Sequence, residues 1–171
     1  MKFIELAANR YSVRAFSNRP IEPEKLDLIL KAAQLAPTAG NYQPQQIYVI
    51  ESPKAMEALR STLKFTYGAP IVLLVCADKN RAWHSQFQPG YDSHEMDASI
   101  VCTHMMLEAA DLGLGSVWVR GFDEAQVARA FRLPAHIRPV CMLPIGYPSD
   151  QSKPAKTHEI SRPLSEMVEH L

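Results

Sequence analysis

Hydrophobic residues follow two periods that alternate along this chain. Leu26, Ile29 and Ala33 recur at helical spacing, whereas residues 71–77 form an unbroken apolar run of strand length. A continuous apolar strand is typical of a sheet that is covered on both faces. The pattern therefore predicts helices that alternate with strands around a buried central strand.

The same reasoning divides most of the chain into elements. Helices are predicted over about residues 2–9, 23–36, 52–63 and 97–112 and from Asp123 onward, and strands over 46–51, 71–77, 116–119 and 139–146. Pro144 has no N–H to donate, so we expect it at a sheet edge or a bulge. The helix over 97–112 is apolar around most of its girth, which indicates burial in a core or a subunit contact and favours a dimer.

Length and composition favour a single unit. A chain of 171 residues that is 47% apolar fits one domain spanning residues 1–171. Residues from about 147 show no clear hydrophobic period before 164–168, so we expect an extended C-terminal arm there.

The charge balance excludes some classes of partner. Lysine and arginine together number 18, as do aspartate and glutamate, so no broad basic field exists for nucleic acid or anionic lipid. No stretch of about 18 apolar residues occurs, and Glu5 stands where a signal peptide would need an apolar core. A cytoplasmic protein that binds neither nucleic acid nor membrane is therefore expected, and any anion site must be local.

The cysteines and histidines do not indicate a metal site. Cys76, Cys102 and Cys141 lie in apolar runs without close pairing, which favours reduced thiols packed as small hydrophobic groups. His94 and Asp97 stand three residues apart, but no further pair completes a tetrahedral ligand set. No metal is predicted.

Two polar segments carry the candidate chemistry. Arg10, Ser12 and Arg14 place two guanidinium groups and a hydroxyl within five positions, which suits a phosphate. Residues 36–44 offer amide donors and acceptors in a loop bounded by prolines, which suits a flat heterocycle. Together the segments predict a phosphorylated aromatic cofactor.

The chain resembles the flavin-dependent nitroreductases, in the order that this family shows, over residues 9–16, 32–44, 112–123 and 143–148 and at Arg162. The resemblance covers nearly the whole chain. It implies an α+β nitroreductase-like fold with a mostly antiparallel central sheet flanked by helices. It also implies an intertwined homodimer with two FMN sites at the subunit interface and a C-terminal arm that reaches over the partner.

The resemblance implies a set of cofactor-binding residues. They are Arg10, Tyr11, Ser12, Arg14, Pro37, Thr38, Ala39, Asn41, Gln43, Arg120, Gly121 and Arg162. By similarity, Arg10 and Ser12 would hold the phosphate and Arg162 would close over it. Lys153 or Lys156 would serve as well as Arg162, and each arginine would alternatively be a solvated surface charge.

Other roles follow from the same resemblance. Arg14 would face the edge of the flavin ring where negative charge gathers on reduction, which raises the reduction potential. Residues 37–43 would come from the partner subunit. Gly121 would let the backbone approach the ring closely. Arg120, where many members carry an acidic or small residue, would either favour anionic acceptors or point to solvent. Trp83, Phe87 and Tyr91 would stack on a flat substrate or pack a surface loop.

The activity implied by the resemblance is an FMN-dependent oxidoreductase. It would pass electrons from NADH or NADPH to a nitroaromatic, a quinone or a similar small-molecule acceptor in a ping-pong order. The flavin would carry the chemistry, so no catalytic side chain is named. The alternatives are a non-catalytic protein that binds or stores flavin, and a different flavin reaction such as dehalogenation or flavin fragmentation on the same fold.

Overall fold

The computed structural model of the chain describes residues 2–63 and 66–171. The helices are α1 (Phe3–Asn9), α2 (Pro23–Leu35), α3 (Pro53–Arg60), α4 (His94–Asp111) and α5 (Glu124–Ala130), and the strands are β1 (Gln45–Ile50), β2 (Ile71–Asp78), β3 (Gly115–Ser116) and β4 (Ile137–Gly146). Short 3-10 turns cover Ala39–Asn41 and Leu164–Glu166.

The four strands form one antiparallel sheet in the order β1-β2-β4-β3. The β2 strand therefore lies in the interior of the sheet, and its residues 71–77 are buried, as the unbroken apolar run predicts. This arrangement confirms the expected α+β class and the mostly antiparallel order.

Helices cover both faces of the sheet because consecutive residues of β2 point to opposite sides. Leu73 and Val75 pack in a cluster with α2 and α4, whereas Val72 and Leu74 pack in a second cluster with α3 and α5. The α4 helix thus lies on one face of the sheet. It also packs along α2 and contacts α1.

Pro144 does not lie on an edge strand, so the prediction for it was wrong in that respect. It stands in the interior strand β4, opposite Val72 of β2. Its carbonyl accepts a hydrogen bond from Val117 N–H at 3.2 Å, on the side away from β2. The missing donor therefore faces the end of the short strand β3, and the ladder between β2 and β4 loses no bond.

The three cysteines are free and fully buried, as expected. Burial raises the pKa of the Cys76 thiol to about 12. A hydrogen bond with Cys141, followed by burial, raises the pKa of Cys102 well above its ordinary value. These thiols pack as core groups and are not activated nucleophiles.

Beyond β4 the chain runs over the surface. Ser17 N–H donates to the Tyr147 carbonyl at 2.8 Å and Ser149 N–H donates to the Ala15 carbonyl at 3.0 Å. From residue 159 onward every residue is exposed, including the apolar side chains of Ile160, Leu164, Met167 and Val168. In the described parts of the chain, no helix has both the length and the apolar character that a membrane crossing requires.

Candidate functional site

The segment that holds Arg10 to Arg14 follows α1 and lies against the short edge strand. Ser12 forms a parallel bridge with Ser116, and Val13 N–H donates to the Ser116 carbonyl at 3.0 Å. Val13 is buried in the cluster on the face of the sheet that α3 and α5 cover. The backbone of the segment is therefore fixed, while Arg14 projects outward.

Gly115 makes this close approach possible. A β-carbon at position 115 would stand 2.5 Å from Val13 Cγ2 and 2.9 Å from Val13 Cβ, nearer than such atoms can approach, and a tight 3.1 Å from Pro148 Cγ. Sequence reasoning missed this role, because Gly115 precedes a strand signal and gives no local sign of the segment that crosses it.

The side chains of the segment leave positive charge available. Arg10 is half-buried and lines a cavity of about 180 Å³ beside Tyr11 and Gly113. Arg14 is exposed, and its Nη1 donates to the Ser12 carbonyl at 3.4 Å. Within residues 2–63 and 66–171, neither guanidinium forms an ion pair. Two unneutralised guanidinium groups beside a serine hydroxyl suit a phosphate dianion.

Tyr11 connects this segment to the C-terminal arm. Its hydroxyl donates to Ser152 Oγ at 3.2 Å, and its ring meets the His158 ring edge-on with 6.2 Å between centroids. Arg162, four residues further on, is exposed and has no hydrogen bond or ion pair among the described residues. Lys153 and Lys156 are likewise exposed. The chain by itself thus brings the arm to Tyr11 but does not select one tail cation.

The loop over residues 37–43 is held in an unusual conformation by its own side chains. Thr38 Oγ1 accepts a hydrogen bond from Gln43 N–H at 3.0 Å, and Asn41 Oδ1 accepts one from Gln43 Nε2 at 3.0 Å. Gly40, Asn41 and Gln43 have φ angles of 55°, 56° and 50°, a left-handed conformation that is costly for residues other than glycine. Pro37 and Ala39 complete the loop, which leaves most of its polar edge exposed.

The loop is also held by a buried carboxylate, which sequence reasoning did not assign to it. Asp97, in the first turn of α4, accepts a hydrogen bond from Ala39 N–H at 2.8 Å. It also accepts one from Ser93 Oγ at 2.6 Å, and its side chain is buried. The sequence named Asp97 only as the start of a helix and, with His94, as an incomplete metal-ligand pair, and an acidic residue early in a helix is ordinarily taken as a favourable dipole interaction, so its contact with the loop was missed.

The two polar segments stand at opposite ends of α4. The loop lies over Asp97, whereas the cavity at Arg10 is walled by Ala110 and Gly113 at the other end. At 1.5 Å of rise per residue, Asp97 and Ala110 are about 20 Å apart along the axis. One chain therefore does not bring the phosphate segment and the loop together.

The outer face of α4 between these ends is apolar and uncovered. Met96 is 54% exposed, and two shallow cavities of about 260 and 460 Å³ follow one another along the helix. Their apolar lining comes from α1, α2 and α4, and polar side chains of α4 stand among it: Phe3, Leu6, Ala32, Leu35, Met96, Ile100 and Leu107, with Ser99, Thr103, His104, Glu108 and Asp111. The sequence indicated an apolar surface of this kind, because the predicted helix was apolar around most of its girth.

Arg120 and Gly121 follow the bridge between Val119 and Met142. The guanidinium of Arg120 pairs with Glu124, to which Arg138 Nη2 also donates at 2.6 Å. Both pairs lower the pKa of the Glu124 carboxyl, against the effect of its partial burial. Around Gly121 the space is open, since a β-carbon there would meet no atom within 4 Å among the described residues.

The segment before α4 forms a short hairpin with aromatic side chains. His84 bridges to Asp92, and Trp83 packs edge-on against Tyr91 with 6.5 Å between centroids. Phe87, near the tip, is 94% exposed. Trp83 also lies beside the loop, because its Cδ1 is 4.0 Å from the position that a β-carbon of Gly40 would occupy.

A polar network fixes the point where the arm leaves β4. Lys25 Nζ donates to the Leu112 carbonyl at 2.8 Å and to Tyr147 Oη at 2.9 Å, and Tyr147 Oη donates to Glu22 Oε2 at 2.6 Å. The bond from Tyr147 is the main reason that the pKa of the Glu22 carboxyl is lowered to about 2. Arg19 stacks over the Tyr147 ring at 3.8 Å.

No group of three or more histidine, cysteine or acidic side chains in the described ranges could hold a metal ion. Elsewhere, Gln45 Oε1 at the start of β1 is buried without a hydrogen-bond partner, directly after the loop. A buried acceptor of this kind is costly unless water, a ligand or another chain supplies the donor.

Comparison with known proteins defines the class. The family model described as "Nitroreductase family" matches residues 7–64 and 57–147, which is more than half of the chain. The chain therefore belongs to the nitroreductase family, which confirms the resemblance seen in the sequence.

Individual relatives agree with this assignment. The crystal structure of a nitroreductase family protein from Clostridium difficile 630 is 42% identical, with a TM-score of 0.92 over 99% of this chain and 98% of that one. A candidate NADH dehydrogenase/NAD(P)H nitroreductase of Archaeoglobus fulgidus is 31% identical over 86% of each chain. The FMN reductase [NAD(P)H] of Bacillus subtilis is 30% identical over 87% of this chain and 67% of its own.

Proposed function

We propose that this chain is an FMN-dependent oxidoreductase that uses NADH or NADPH. The observation that carries the proposal is the pair of unneutralised guanidinium groups, Arg10 and Arg14, fixed by the sheet edge beside Ser12. Bound FMN supplies the redox chemistry. Relatives named as NAD(P)H nitroreductase and FMN reductase support the same activity.

The residues present fit this cofactor. Arg10, Tyr11 and Ser12 would bind the phosphate, because a phosphate monoester carries roughly −1.5 to −2 charges and suits guanidinium donors. Arg14 would face the polar edge of the ring. The open space at Gly121 would admit a flat group against the backbone. The orphaned acceptor of Gln45 beside the loop is a further place for a ligand or partner donor.

We also propose that the site is completed by a second copy of the chain. The phosphate segment and the loop lie at opposite ends of α4, and the apolar face of that helix runs between them. Two copies that pack these faces in antiparallel fashion would bring the loop of one copy to the arginines of the other. Thr38, Asn41 and Gln43 would then come from the partner. The exposed apolar side chains of the arm would cover the partner's surface.

The proposal extends to the electron acceptor, the kinetic order and the tail cation at the phosphate. The acceptor would be a nitroaromatic, a quinone or a similar flat molecule, used in ping-pong order after the nicotinamide leaves. Arg162, Lys153 or Lys156 would close over the phosphate. We also keep the predictions of one domain over residues 1–171 with an arm from about 147, and of a cytoplasmic location.

The experiment that tests the function is a titration with FMN followed by anaerobic reduction. We expect wild-type protein to bind FMN and the bound flavin to lose its visible absorbance when NADH or NADPH is added. Arg10→Ala should weaken FMN binding about tenfold or more, because it removes a charged hydrogen-bond donor. Lys54→Ala, at an exposed position on α3, is the matched charge control.

The outcomes separate the alternatives. Protein that binds no FMN contradicts the proposal. If the protein binds FMN but neither NADH nor NADPH reduces the bound flavin, it is a flavin-binding or storage protein. For the ping-pong order, double-reciprocal plots of initial rate against nicotinamide concentration should give parallel lines at different acceptor concentrations. Intersecting lines would contradict the ping-pong order alone.

A further inference from the structure

We propose that Asp97 is a positioning residue that acts together with Ser93. It holds the loop over residues 37–43 in the conformation that binds the cofactor. This inference rests on the proposed function, because it assigns the loop to the FMN site. Neither residue is among those that the family resemblance implies for cofactor binding.

The contacts of Asp97 reach beyond its own helix. One carboxylate oxygen accepts from Ala39 N–H at 2.8 Å, 58 positions earlier in the chain, and the other accepts from Ser93 Oγ at 2.6 Å. The side chain is 1% exposed. A carboxylate is stable in such a place only when donors surround it, so both bonds are strongly favoured.

Ser93 extends the connection to a second segment. Its hydroxyl oxygen accepts from Trp83 N–H at 3.1 Å while its proton goes to Asp97, and its N–H donates to the Trp83 carbonyl at 2.9 Å. Ser93 stands at the start of α4, where a serine would ordinarily cap the helix, yet its side chain makes no such bond. Its hydroxyl serves the connection between Asp97 and Trp83 instead.

The loop needs this support. Asn41 and Gln43 both adopt a left-handed conformation that residues other than glycine avoid, and the loop's polar edge is exposed. The bonds from Gln43 to Thr38 and Asn41 are local and solvent-accessible. The bond from Ala39 N–H to the buried Asp97 carboxylate is partly buried, and it ties the loop to the helix layer.

The geometry also explains why an acidic group stands there. Ala39 N–H and the Ser93 hydroxyl both donate toward the same point, so the group between them must accept twice. An ionised carboxylate does so with both oxygens. A neutral amide keeps one acceptor and turns an N–H₂ group toward Ser93, so Asp97→Asn should retain part of the function.

The test compares Asp97→Ala, Asp97→Asn and Ser93→Ala with Val101→Ala. Val101 is fully buried one turn further along α4, in the apolar cluster that α4 forms with α2 and β2, so it is the control for loss of packing alone. For each variant we would measure the unfolding midpoint without FMN, the dissociation constant for FMN, and hydrogen exchange at the Ala39 amide.

We expect Asp97→Ala to raise the dissociation constant for FMN about tenfold, with Asp97→Asn and Ser93→Ala between it and wild type. Exchange at the Ala39 amide should accelerate in the same order. Val101→Ala should lower the unfolding midpoint but change the dissociation constant by less than about twofold.

Two outcomes would overturn the inference in different ways. If wild type binds FMN but the Asp97 and Ser93 variants match Val101→Ala at equal loss of stability, the residues are structural only, and the proposed function stands. If wild type binds no FMN, the proposed function fails and takes this inference with it. Should Asp97→Ala not fold, Asp97→Asn and Ser93→Ala decide between these outcomes.

Discussion

At the scale of single residues, two glycines shape the candidate site because they lack a β-carbon. The β-carbon missing from Gly115 lets Val13 pack against the sheet edge, and this contact fixes the backbone that carries Arg10 and Arg14. Gly121 also lacks a β-carbon, but the space around it is open. One glycine is therefore required for packing, and the other leaves room.

Substitution of these two glycines should separate the roles. Gly115→Ala should lower the free energy of unfolding by about 1–3 kcal/mol, because the added methyl group overlaps Val13. Gly121→Ala is the matched control and should stay within about 0.5 kcal/mol of wild type. Urea unfolding measures both. Equal stability of the two variants would show that Val13 moves aside without cost.

At the scale of elements, the network of Lys25, Tyr147 and Glu22 joins α2 to the C-terminal end of α4 and to the start of the arm. Lys25 binds a carbonyl beyond the last turn of α4, where a cation interacts favourably with the helix dipole. The same network holds Tyr147, whose carbonyl binds the segment that follows Arg14. The helix layer and the phosphate segment are thus linked through one tyrosine.

This network predicts a pH dependence of stability. The pKa of Glu22 is about 2 in the folded chain, below its ordinary value of 4.5, so its contribution is present above about pH 4.5 and is lost as the pH falls through 2. We expect the unfolding midpoint to fall over this range. Tyr147→Phe removes the main donor and should flatten that fall, while leaving the profile above pH 5 unchanged in shape. An equally steep acid profile in Tyr147→Phe would contradict the assignment.

Boundaries of elements show where sequence patterns are sufficient. The pattern predicted α2 to within a residue or two, because a proline begins it and the apolar spacing continues to its end. The α4 helix begins at His94, three residues before the predicted start, because its first turn carries polar side chains without an apolar period. The strand predicted over 116–119 is shorter, since only Gly115–Ser116 pairs continuously before a single bridge at Val119.

At the scale of the whole molecule, about 20 Å of α4 separates the loop at Asp97 from the phosphate segment near Ala110. Arg10 and Asn41 would therefore act on one cofactor only from different copies of the chain.

Mixing of two variants that each bind FMN weakly should restore tight binding. In Arg10→Ala and in Asn41→Ala, every site of a homodimer lacks one group, whereas a mixed dimer contains one intact site. Random exchange should restore about one quarter of the sites, measured as tightly bound FMN after co-refolding. As the control, Arg10→Ala mixed with the double variant Arg10→Ala/Asn41→Ala should restore none. A lack of recovery in the first mixture would place both groups in one chain's site.

The order and type of the elements, the buried central strand and the two polar segments could be predicted from the sequence, because each follows from local periodicity or from residue chemistry within a few positions. The contact of Ala39 with Asp97, the packing of Val13 against Gly115, and the position of the two segments at opposite ends of α4 became visible in the folded chain. These contacts join residues far apart in the chain. They depend on how helices and strands pack against one another, and no single segment carries a signal of its distant partner.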